Sequence, residues 1–294
     1  MPGPRFALLS AGLLLLAGSL LGCDTADKNP AAPFDSLPIK VGFKIGRPGM
    51  SDLTHNGSFD GFEPHVALKV LQESLGRNYT SLTVTTANWK DALSDGKVNH
   101  NKVDLVIADI SEQESLKTDY DLAGPYLQTP LGVLLKASDS TPVGKAEDLR
   151  PLAVCVQENT TAFATLQLNG GRPPVVQPDL DACMARLNDG TAQAVLADYA
   201  VLQGIAVNSG TGTEHTYRVA RDAHIGKAQQ LMMVLPKGHQ KACELLRKAI
   251  ADYLQDTDWT TSLKQNLGLN DFTNDEIRDT FRPVTTSVGN RCSA

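Results

Sequence analysis

Acidic and hydroxyl side chains follow a short apolar run in the stretch VDLVIADISEQESLKTDYDLAGPY, which spans residues 103–126. The run Val103–Ala108 has the length and bounds of a buried strand, and Asp109 comes directly after it. Ser111 and Glu114 have the spacing of a capping box, in which two side chains satisfy free N–H groups of a helix's first turn. Ligands of α/β proteins bind where strand ends lead into helix starts, because polar groups and exposed helix amides meet there. The stretch therefore predicts either a ligand-binding turn or an ordinary helix cap.

The N-terminus has the composition of an export signal. It carries one positive residue and then an apolar run over residues 6–21, which is too short and wrongly flanked for a stable membrane span. The ending LLGC at residues 20–23 resembles the bacterial lipobox, in which a small residue precedes a cysteine whose thiol receives diacylglycerol. We predict a lipoprotein signal peptide over residues 1–22, lipid on Cys23, and a flexible leash over residues 23–37. The lipid would hold the chain on the extracytoplasmic face of the cell membrane; a cysteine that stands there by chance is the alternative.

Four further cysteines point to disulfide chemistry: Cys155, Cys183, Cys243 and Cys292. An even number of cysteines in an exported chain favours disulfides, although the sequence allows three connectivities. We expect the pair Cys155–Cys183, between the strand LAVCV and the helix DLDACMARL, and the pair Cys243–Cys292, between a helix and the C-terminal tail. A metal site is the alternative, but no C-x-x-C spacing occurs and no histidine lies at ligand spacing beside these cysteines. We therefore expect no metal.

The bulk composition is that of a globular protein. The chain has 294 residues, of which 41% are hydrophobic and 20% are charged. This length allows one or two cores, since domains usually hold roughly 100 to 200 residues. A net charge of −6 and the lack of a basic stripe argue against nucleic acid as a main partner. We expect two lobes and no nucleic-acid partner.

The order of elements predicts an α/β fold. In the first half, the strand IKVGFKIG, the helix EPHVALKVLQESLG, the strand SLTVTTA, a short helix around WKDALSDG and the strand before Asp109 form a β-α-β-α-β pattern, which indicates a mainly parallel sheet. The second half repeats the idea with the strand LAVCV, the helix NTTAFATLQLNGG and a helix-turn-strand unit, DACMARLNDGTAQAVLADYAVL. The extended segments PLGVLLKAS and QLMMVLPKGH bracket this second unit. They predict two crossing strands and an inserted second lobe.

These segments set the predicted lobe boundaries. Lobe one comprises residues 38–131 and 232–282, lobe two comprises residues 132–231, and residues 283–294 form a C-terminal tail. A helix near the end, QKACELLRKAIADYLQD, has the capacity to cover one face of lobe one. Its predicted apolar stripe consists of Leu245, Leu246, Ala249, Ile250 and Tyr253.

Several fragments follow one another in a characteristic order: VGFKIGRPG, GSFDGFEPHVALKVL, VDLVIADIS followed by DLAGPY, EDLRPLAVCVQENTTA, LNDGTAQAVLADYAVL and VLPKGH. Together they resemble the family 3 extracellular solute-binding proteins, the polar amino acid receptors of ABC importers, from about Ile39 to Leu269. The resemblance implies a type II periplasmic-binding-protein-like fold, in which two α/β lobes joined by two crossing strands close over one small molecule. It also implies a monomeric receptor whose protein partners are the permease subunits of an importer.

The resemblance assigns ligand contacts to four residues outside the opening stretch. The aromatic platform of many members falls at Trp89, and a core tryptophan that caps the short helix is the alternative. The partner of the solute's ammonium falls at Asp198, because a buried ammonium must be paired; a plain strand-end aspartate is the alternative. Thr160 and Thr161 match the helix start that binds the solute's carboxylate, and an N-cap without a ligand is the alternative.

The arginine that the family uses in lobe one is missing. An ungapped comparison places Leu116 at its position, and leucine cannot replace a bidentate guanidinium contact. Ser111 keeps the hydroxyl of the ammonium site, while Asp109 adds a negative charge where the family often has a small or neutral residue. Lys117 would point about 100° around the helix, so Arg47, in the loop after the first strand, is the better source of positive charge. A solvated loop arginine is the alternative.

We therefore expect a small cationic or zwitterionic solute, with its positive group facing Asp109, Ser111 and Asp198 and with Trp89 stacking on it. Rival functions are a sensor that reports a ligand to a membrane signalling partner, a degenerate member that binds no solute, and an enzyme. The enzyme is disfavoured because the sequence lacks G-x-S-x-G, H-E-x-x-H and a glycine-rich phosphate loop. We expect no catalytic activity and no cofactor.

Overall fold

The computed structural model describes residues 38–94, 102–210, 214–284 and 292. The predicted signal peptide, the lipidation site Cys23 and the leash lie outside the described residues, as does most of the predicted tail over residues 283–294. None of the helices in the described ranges combines the length and the apolar character that a membrane crossing needs.

Strands in the described ranges form one large mixed sheet and a small hairpin, the latter made by β2 and β3. The strands are β1 (Ile39–Lys44), β2 (Asp52–Leu53), β3 (Phe59–Asp60), β4 (Tyr79–Val84), β5 (Leu105–Ile107), β6 (Tyr120–Lys136), β7 (Val154–Gln157), β8 (Val175–Gln177), β9 (Ala194–Asp198), β10 (Tyr217–Val219) and β11 (Ile225–Pro236).

Helices cover the sheet and lead out of its strand ends. They are α1 (Phe62–Ala67), which continues as a π-helix (Leu68–Ser74), α2 (Trp89–Ser94), α3 (Glu114–Asp119), a 3-10 turn (Ala146–Leu149), α4 (Thr161–Asn169), α5 (Leu180–Asp189), α6 (Tyr199–Val207), α7 (Gln240–Tyr253), α8 (Thr257–Asn266) and α9 (Asn274–Phe281). Helix α6 was not predicted, because a short apolar run such as YAVLQGIAV does not distinguish a buried helix from a strand.

The sheet has the order β4-β1-β5-β11-β6-β9-β7-β8, with β10 paired to β6. β1 pairs in parallel with β4 and β5, and β7 pairs in parallel with β8 and β9. The predicted α/β class is confirmed, and so is parallel pairing in each half. The sheet as a whole is mixed rather than mainly parallel, because β6 and β11 run antiparallel to each other and to their other neighbours β9 and β5.

Two long strands carry the chain between the halves. β6, with 17 residues, pairs with β11, with 12 residues, from Tyr120 opposite Pro236 to Leu131 opposite Ile225. The predicted crossing segments fall largely within these two strands. The predicted lobe boundaries stay a prediction, because both strands run through them without a break. The names lobe one and lobe two are kept for the two sides.

The strand directions bring two sets of strand ends together. β1 and β5 run in the direction of β6, towards lobe two, whereas β7 and β9 run the opposite way, towards lobe one. The carboxyl ends of both parallel units therefore face each other across the boundary between the two lobes, which we call the junction. Because ligands of such sheets bind outside the carboxyl ends of strands, this junction is the expected place for a site.

The hydrophobic core is continuous from lobe one into lobe two. The ring of Tyr199, at the start of α6, lies 6.3 Å from that of Phe272 and 5.8 Å from that of Phe281, the last residue of α9. On the other side, α7 packs against β6 through a buried stripe that includes Leu246 and Ile250. Leu245, which was predicted on this stripe, is 48% exposed and lies off it.

Both predicted disulfides are present. Cys155 in β7 bonds to Cys183 in α5, with their Cα atoms 5.5 Å apart. Cys243 in α7 bonds to Cys292, with their Cα atoms 5.6 Å apart. Each lobe therefore carries one covalent link between elements that are distant in sequence.

Candidate functional site

The turn that follows β5 is held by a backbone bridge to the sheet, and its residues form no capping box. Asp109 has φ of 48°, in the left-handed region that non-glycine residues rarely adopt. Ser111 pairs as an isolated bridge with Leu231 of β11, and α3 begins only at Glu114, with Gln113 at the N-cap and no side-chain capping bond. The predicted pair Ser111 and Glu114 is therefore wrong as a capping box, because the bridge keeps Ser111 extended and away from the helix start. Ser111 itself is buried.

The carboxylate of Asp109 has two cationic partners within lobe one. Its Oδ1 lies 2.9 Å from Nζ of Lys44, and its Oδ2 lies 3.1 Å from Nε of Arg47. Arg47 is 5% exposed, so the alternative of a solvated loop arginine is wrong. Burial alone would raise the pKa of Asp109, but the charges and hydrogen bonds of Lys44 and Arg47 hold it below its usual range.

The sequence analysis did not single out Lys44 as a functional residue. It is the last residue of β1, and 65 positions separate it from Asp109. A usable signal was its place at the carboxyl end of a parallel strand, next to the loop that carries Arg47.

Glu63, in the first turn of α1, holds the backbone of Asp109 by a hydrogen bond. Its Oε1 accepts hydrogen bonds from the Asp109 N–H at 2.7 Å and from the Tyr126 hydroxyl at 2.5 Å. Its Oε2 is buried without a hydrogen-bond partner. Burial, with repulsion from Asp109, raises the pKa of Glu63 to about 7. Sequence reasoning missed this residue too, because nothing local marks an acid that bonds to a turn 46 residues away.

Asp198 brings a carboxylate to the junction from lobe two. It is the last residue of β9 and the N-cap of α6, and its side chain makes no capping hydrogen bond. Burial, followed by repulsion from Asp109, raises the pKa of Asp198 to about 8, while Lys44 and Arg47 act in the opposite direction. Asp198 thus interacts electrostatically with three charged groups of the other lobe. Among the described residues it has no ion-pair partner at contact distance.

Thr160 and Thr161 lie at the start of α4, after β7. The Thr160 hydroxyl accepts a hydrogen bond from the Phe163 N–H at 3.2 Å and donates one to the Gln157 carbonyl at 2.7 Å. Thr160 is therefore an N-cap, as the structural alternative stated. The cap leaves the first N–H groups of α4 outside the helix's own bonding pattern, so an anion can still bind at this end. Because β7 and β9 are parallel neighbours, Thr160 and Asp198 lie at the same edge of the sheet.

Trp89 and Leu116 belong to one hydrophobic cluster on lobe one. Trp89 is 9% exposed, and its ring lies 5.4 Å from that of Tyr120. This packing favours the core alternative for Trp89 over a platform for a solute. Leu116 is 5% exposed, so the position of the family's arginine is apolar here. Lys117 pairs with Glu112 and Glu114 and does not replace the arginine.

The loop that carries Arg47 touches lobe two. A Cβ atom on Gly204 of α6 would lie 1.9 Å from the carbonyl oxygen of Pro48, so only glycine permits this approach. On the same loop, a Cβ atom on Gly46 would lie 3.8 Å from the carboxylate of Asp181 in α5. The two lobes are therefore in contact beside the charged residues of the junction.

A concave surface lies on lobe two, and the charged residues of the junction are not among those that line it. It is a groove of about 700 Å³ lined by residues of the segment 137–144 together with Arg218 and Arg221. It includes none of the predicted contact residues. The charged junction, rather than this open groove, has convergent polar groups from several strand ends, which is the arrangement expected of a solute site.

Comparisons with known proteins agree with this fold. The sequence model of the family described as bacterial extracellular solute-binding proteins, family 3, matches residues 39–268. The chain is 21% identical over 269 residues to the glutamate-binding protein GluB of Corynebacterium efficiens, covering 90% of this chain and 91% of the relative. Its fold is similar to that of AbpA, an amino acid ABC transporter substrate-binding protein of Streptococcus pneumoniae crystallised with L-arginine, with a TM-score of 0.63 and 17% identity over 78% of this chain and 94% of that chain.

A second solved structure bears on the enzyme alternative. The ancestral amino acid-binding protein AncCDT-1, described as a precursor of cyclohexadienyl dehydratase, matches with a TM-score of 0.61 and 20% identity, over 78% of this chain and 94% of that chain. The family model describes bacterial extracellular solute-binding proteins. Two lobes, two crossing strands and a family match over residues 39–268 lead to one identification: this chain belongs to the bacterial extracellular solute-binding proteins of family 3.

Proposed function

We propose that the protein is a lipid-anchored, monomeric receptor that binds a small zwitterionic, amino-acid-like solute and delivers it to an ABC importer. The observation that supports this proposal most is the opposition of charges across the junction. Lys44 and Arg47 bring two positive charges from lobe one to the single carboxylate of Asp109, and Asp198 brings an unpartnered carboxylate from lobe two. A solute with one carboxylate and one ammonium complements both sides.

The positive charges of lobe one replace the missing arginine from a different element. In this proposal the solute's carboxylate lies between Arg47 and the N-terminal amides of α4, which begin at Thr161. A guanidinium and free helix amides are both suited to a carboxylate. The arginine thus comes from the loop after β1 instead of from α3, where Leu116 is packed in a hydrophobic cluster.

The solute's ammonium is placed on Asp198. A half-buried carboxylate without an ion-pair partner is costly when ionised, and a bound ammonium offsets its charge. Because Asp109 is already paired to Lys44 and Arg47, the expected contacts of the solute's ammonium narrow from Asp109, Ser111 and Asp198 to Ser111 and Asp198. Trp89 is left out of the proposed contacts, because it is packed against Tyr120.

The relatives agree on the class of solute and differ on its side chain. GluB is named as a glutamate-binding protein, and AbpA was crystallised with L-arginine. The groups that an α-amino acid always carries, its carboxylate and its ammonium, are the shared element. They are also the groups that the charges of this junction complement.

Calorimetry with neutral, acidic and basic amino acids, polyamines and betaines tests this proposal. We expect the neutral amino acids to bind best and Asp198→Asn to weaken their binding at least about 30-fold, because removing one partner of a buried charge pair costs about 2 to 5 kcal/mol. Asp222→Asn, at an exposed position of the same lobe, is the control and keeps wild-type affinity. A preference for acidic amino acids, or no bound solute in the whole panel, contradicts the proposal.

The pH dependence of binding provides a second readout. The pKa of Asp198 is about 8 without a solute, so the group is largely protonated at pH 6. An ammonium favours the ionised carboxylate, so binding releases a proton and affinity rises as the pH approaches 8. Proton release is measured by calorimetry in buffers of different ionisation enthalpy, and Asp198→Asn removes it.

The lipid anchor is tested separately. Cys23 follows an apolar run and a small residue, as lipidated cysteines do in the lipobox pattern. Replacing it by serine is expected to move the protein from the membrane fraction to the soluble fraction without changing solute affinity. Retention of Cys23→Ser in the membrane fraction contradicts the anchor and leaves the solute proposal unaffected.

A further inference from the structure

We infer that Lys44 and Arg47 act as built-in cations which occupy Asp109 and so exclude solutes with a cationic side chain. The inference rests on the proposed function, since it concerns the selectivity of the same site. It adds a specificity-determining residue, Lys44, that the sequence pattern did not reveal, and gives Arg47 a second role beside the solute's carboxylate.

The two cations meet both oxygens of one carboxylate. Lys44 Nζ lies 2.9 Å from Oδ1 of Asp109, and Arg47 Nε lies 3.1 Å from Oδ2. The three side chains are 12%, 6% and 11% exposed for Lys44, Arg47 and Asp109, so water screens these charges little. A third cation approaching Asp109 would meet two positive groups within contact distance of one negative group. Repulsion therefore disfavours it, whereas an approaching carboxylate is attracted.

Arg47 is held by hydrogen bonds with the backbone around it. Arg47 Nη1 donates to the carbonyl of Gly46 at 2.9 Å, and the Arg47 carbonyl accepts from the N–H groups of Met50 at 2.9 Å and Ser51 at 2.7 Å. The same loop packs its Pro48 carbonyl against Gly204 of lobe two. The backbone of this loop is therefore fixed, and the hydrogen bonds of Nη1 to Gly46 and of Nε to Asp109 hold the guanidinium of Arg47 beside the carboxylate.

The acceptor is fixed as well. The N–H of Asp109 donates to Glu63, which also accepts from the hydroxyl of Tyr126. These bonds hold Asp109 in its left-handed conformation, with its carboxylate towards Lys44 and Arg47. Because both sides of the pair are held, Asp109 is permanently compensated. Asp198 has no ion-pair partner among the described residues, and its single carboxylate matches one ammonium rather than the two cationic groups of an arginine-like or lysine-like solute.

Chemical rescue tests this assignment. Arg47→Ala opens a space of guanidinium size beside Asp109, and ethylguanidinium at millimolar concentration is the probe. We expect ethylguanidinium to raise the melting temperature of Arg47→Ala by several degrees and that of the wild type not at all. The double variant Arg47→Ala, Asp109→Asn lacks the charged acceptor and is expected to lose this response.

Calorimetry with arginine provides the solute arm. Wild type is expected to bind arginine at least about tenfold more weakly than a neutral amino acid, and Arg47→Ala is expected to narrow or invert this ratio. If Arg47→Ala does not fold, Arg47→Met fills the space without the charge and is expected to shift the ratio in the same direction, whereas Arg47→Lys keeps the charge and the exclusion.

Two results overturn the inference: wild type that binds arginine as tightly as neutral amino acids, or an ethylguanidinium response that is equal in Arg47→Ala and in the double variant. These results are separable from failure of the proposed function. The rescue depends on Asp109 and not on Asp198. If the wild type binds no amino acid but ethylguanidinium still stabilises Arg47→Ala, the receptor proposal is contradicted. The pairing of Asp109 with Lys44 and Arg47 is then still supported.

Discussion

The two walls of the junction each present a carboxylate at a strand end, but only one is neutralised by its own chain. Asp109 of lobe one has Lys44 at 2.9 Å and Arg47 at 3.1 Å, and these cations hold its pKa low against the effect of burial. Asp198 of lobe two is followed directly by an apolar helix, and burial raises its pKa to about 8. The charge of Asp109 therefore stabilises the fold, whereas the charge of Asp198 destabilises it until a cation binds.

This difference distinguishes a carboxylate that stabilises the fold from a carboxylate that is available to bind a ligand. A carboxylate that the fold pairs internally contributes to the stability of the solute-free protein. A carboxylate that the fold buries without a partner favours any ligand that supplies the missing charge. The same substitution, aspartate to asparagine, should accordingly have opposite effects on the two walls.

The largest expected effect is the loss of stability in Asp109→Asn. Removing one member of a buried ion pair typically costs about 3 to 5 kcal/mol, because uncompensated charge remains, and here both Lys44 and Arg47 lose their counterion. Urea unfolding at pH 7 measures the loss. Asp275→Asn, which breaks the exposed pair with Arg278, is the control and should cost less than about 0.5 kcal/mol. Equal losses in the two variants would contradict the structural role of Asp109.

A gain of stability is expected for Asp198→Asn in the absence of solute. The folded pKa of Asp198 lies above its usual value of 3.8, so its favourable contribution is complete below pH 3.8 and is lost as the pH rises to about 8. In Asp198→Asn the side chain does not ionise, so this loss of stability at high pH does not occur. We expect a gain on the order of 2 kcal/mol at pH 8, less than the full pKa shift implies because the side chain is half-buried, and no gain near pH 4. Unfolding curves at both pH values measure it; a destabilised variant at pH 8 would contradict the unpaired state of Asp198.

A smaller effect is expected for Glu63→Gln, which changes the support of the lobe-one wall. The pKa of Glu63 rises from 4.5 to about 7 on folding, so wild-type stability falls as the pH increases between these values. Glutamine flattens this part of the profile. Its amide donors would occupy the buried place of Oε2, and this desolvation cost offsets much of the gain, leaving about 1 kcal/mol at pH 8. A profile with an unchanged slope would show that Glu63 is ionised throughout.

The smallest effect is expected at the surface contact between lobe two and α9. Arg221 lies 3.1 Å from Glu276, with both side chains nearly half exposed, and its guanidinium lies over the ring of Phe272 at 4.5 Å. Arg221→Gln should cost less than about 1 kcal/mol, because exposed ion pairs are screened by water. Arg186→Gln, within lobe two, is the matched control. A loss as large as that of Asp109→Asn would show that α9, rather than the charged junction, holds the lobes together.

Local patterns predicted most of the elements, including the helix start at Thr160 and the strand end at Asp198, for a physical reason. A helix start such as Thr160 and a strand-end acid such as Asp198 are defined by their immediate neighbours, so their positions follow from periodicity and capping rules. The wall of lobe one depends on contacts between residues about 46 to 65 positions apart, which no local pattern encodes. The capping-box prediction at Ser111 is wrong for the same reason, because a strand that arrives 120 residues later, at Leu231, determines its conformation.

The amino-acid sequence by itself determined the α/β class, because periodicity is a property of short segments. Its resemblance to the family implied the two-lobed fold and the absence of the usual arginine at Leu116. The expected disulfide pairs were one of three possible connectivities, and the structure contains that one. Only the tertiary structure decided that Asp109 is already paired, that Arg47 is buried and that Lys44 and Glu63 belong to the same charged group. The reason is that the partner of a buried charge is chosen by the meeting of strand ends in space, and that meeting is set by the order and direction of the whole sheet.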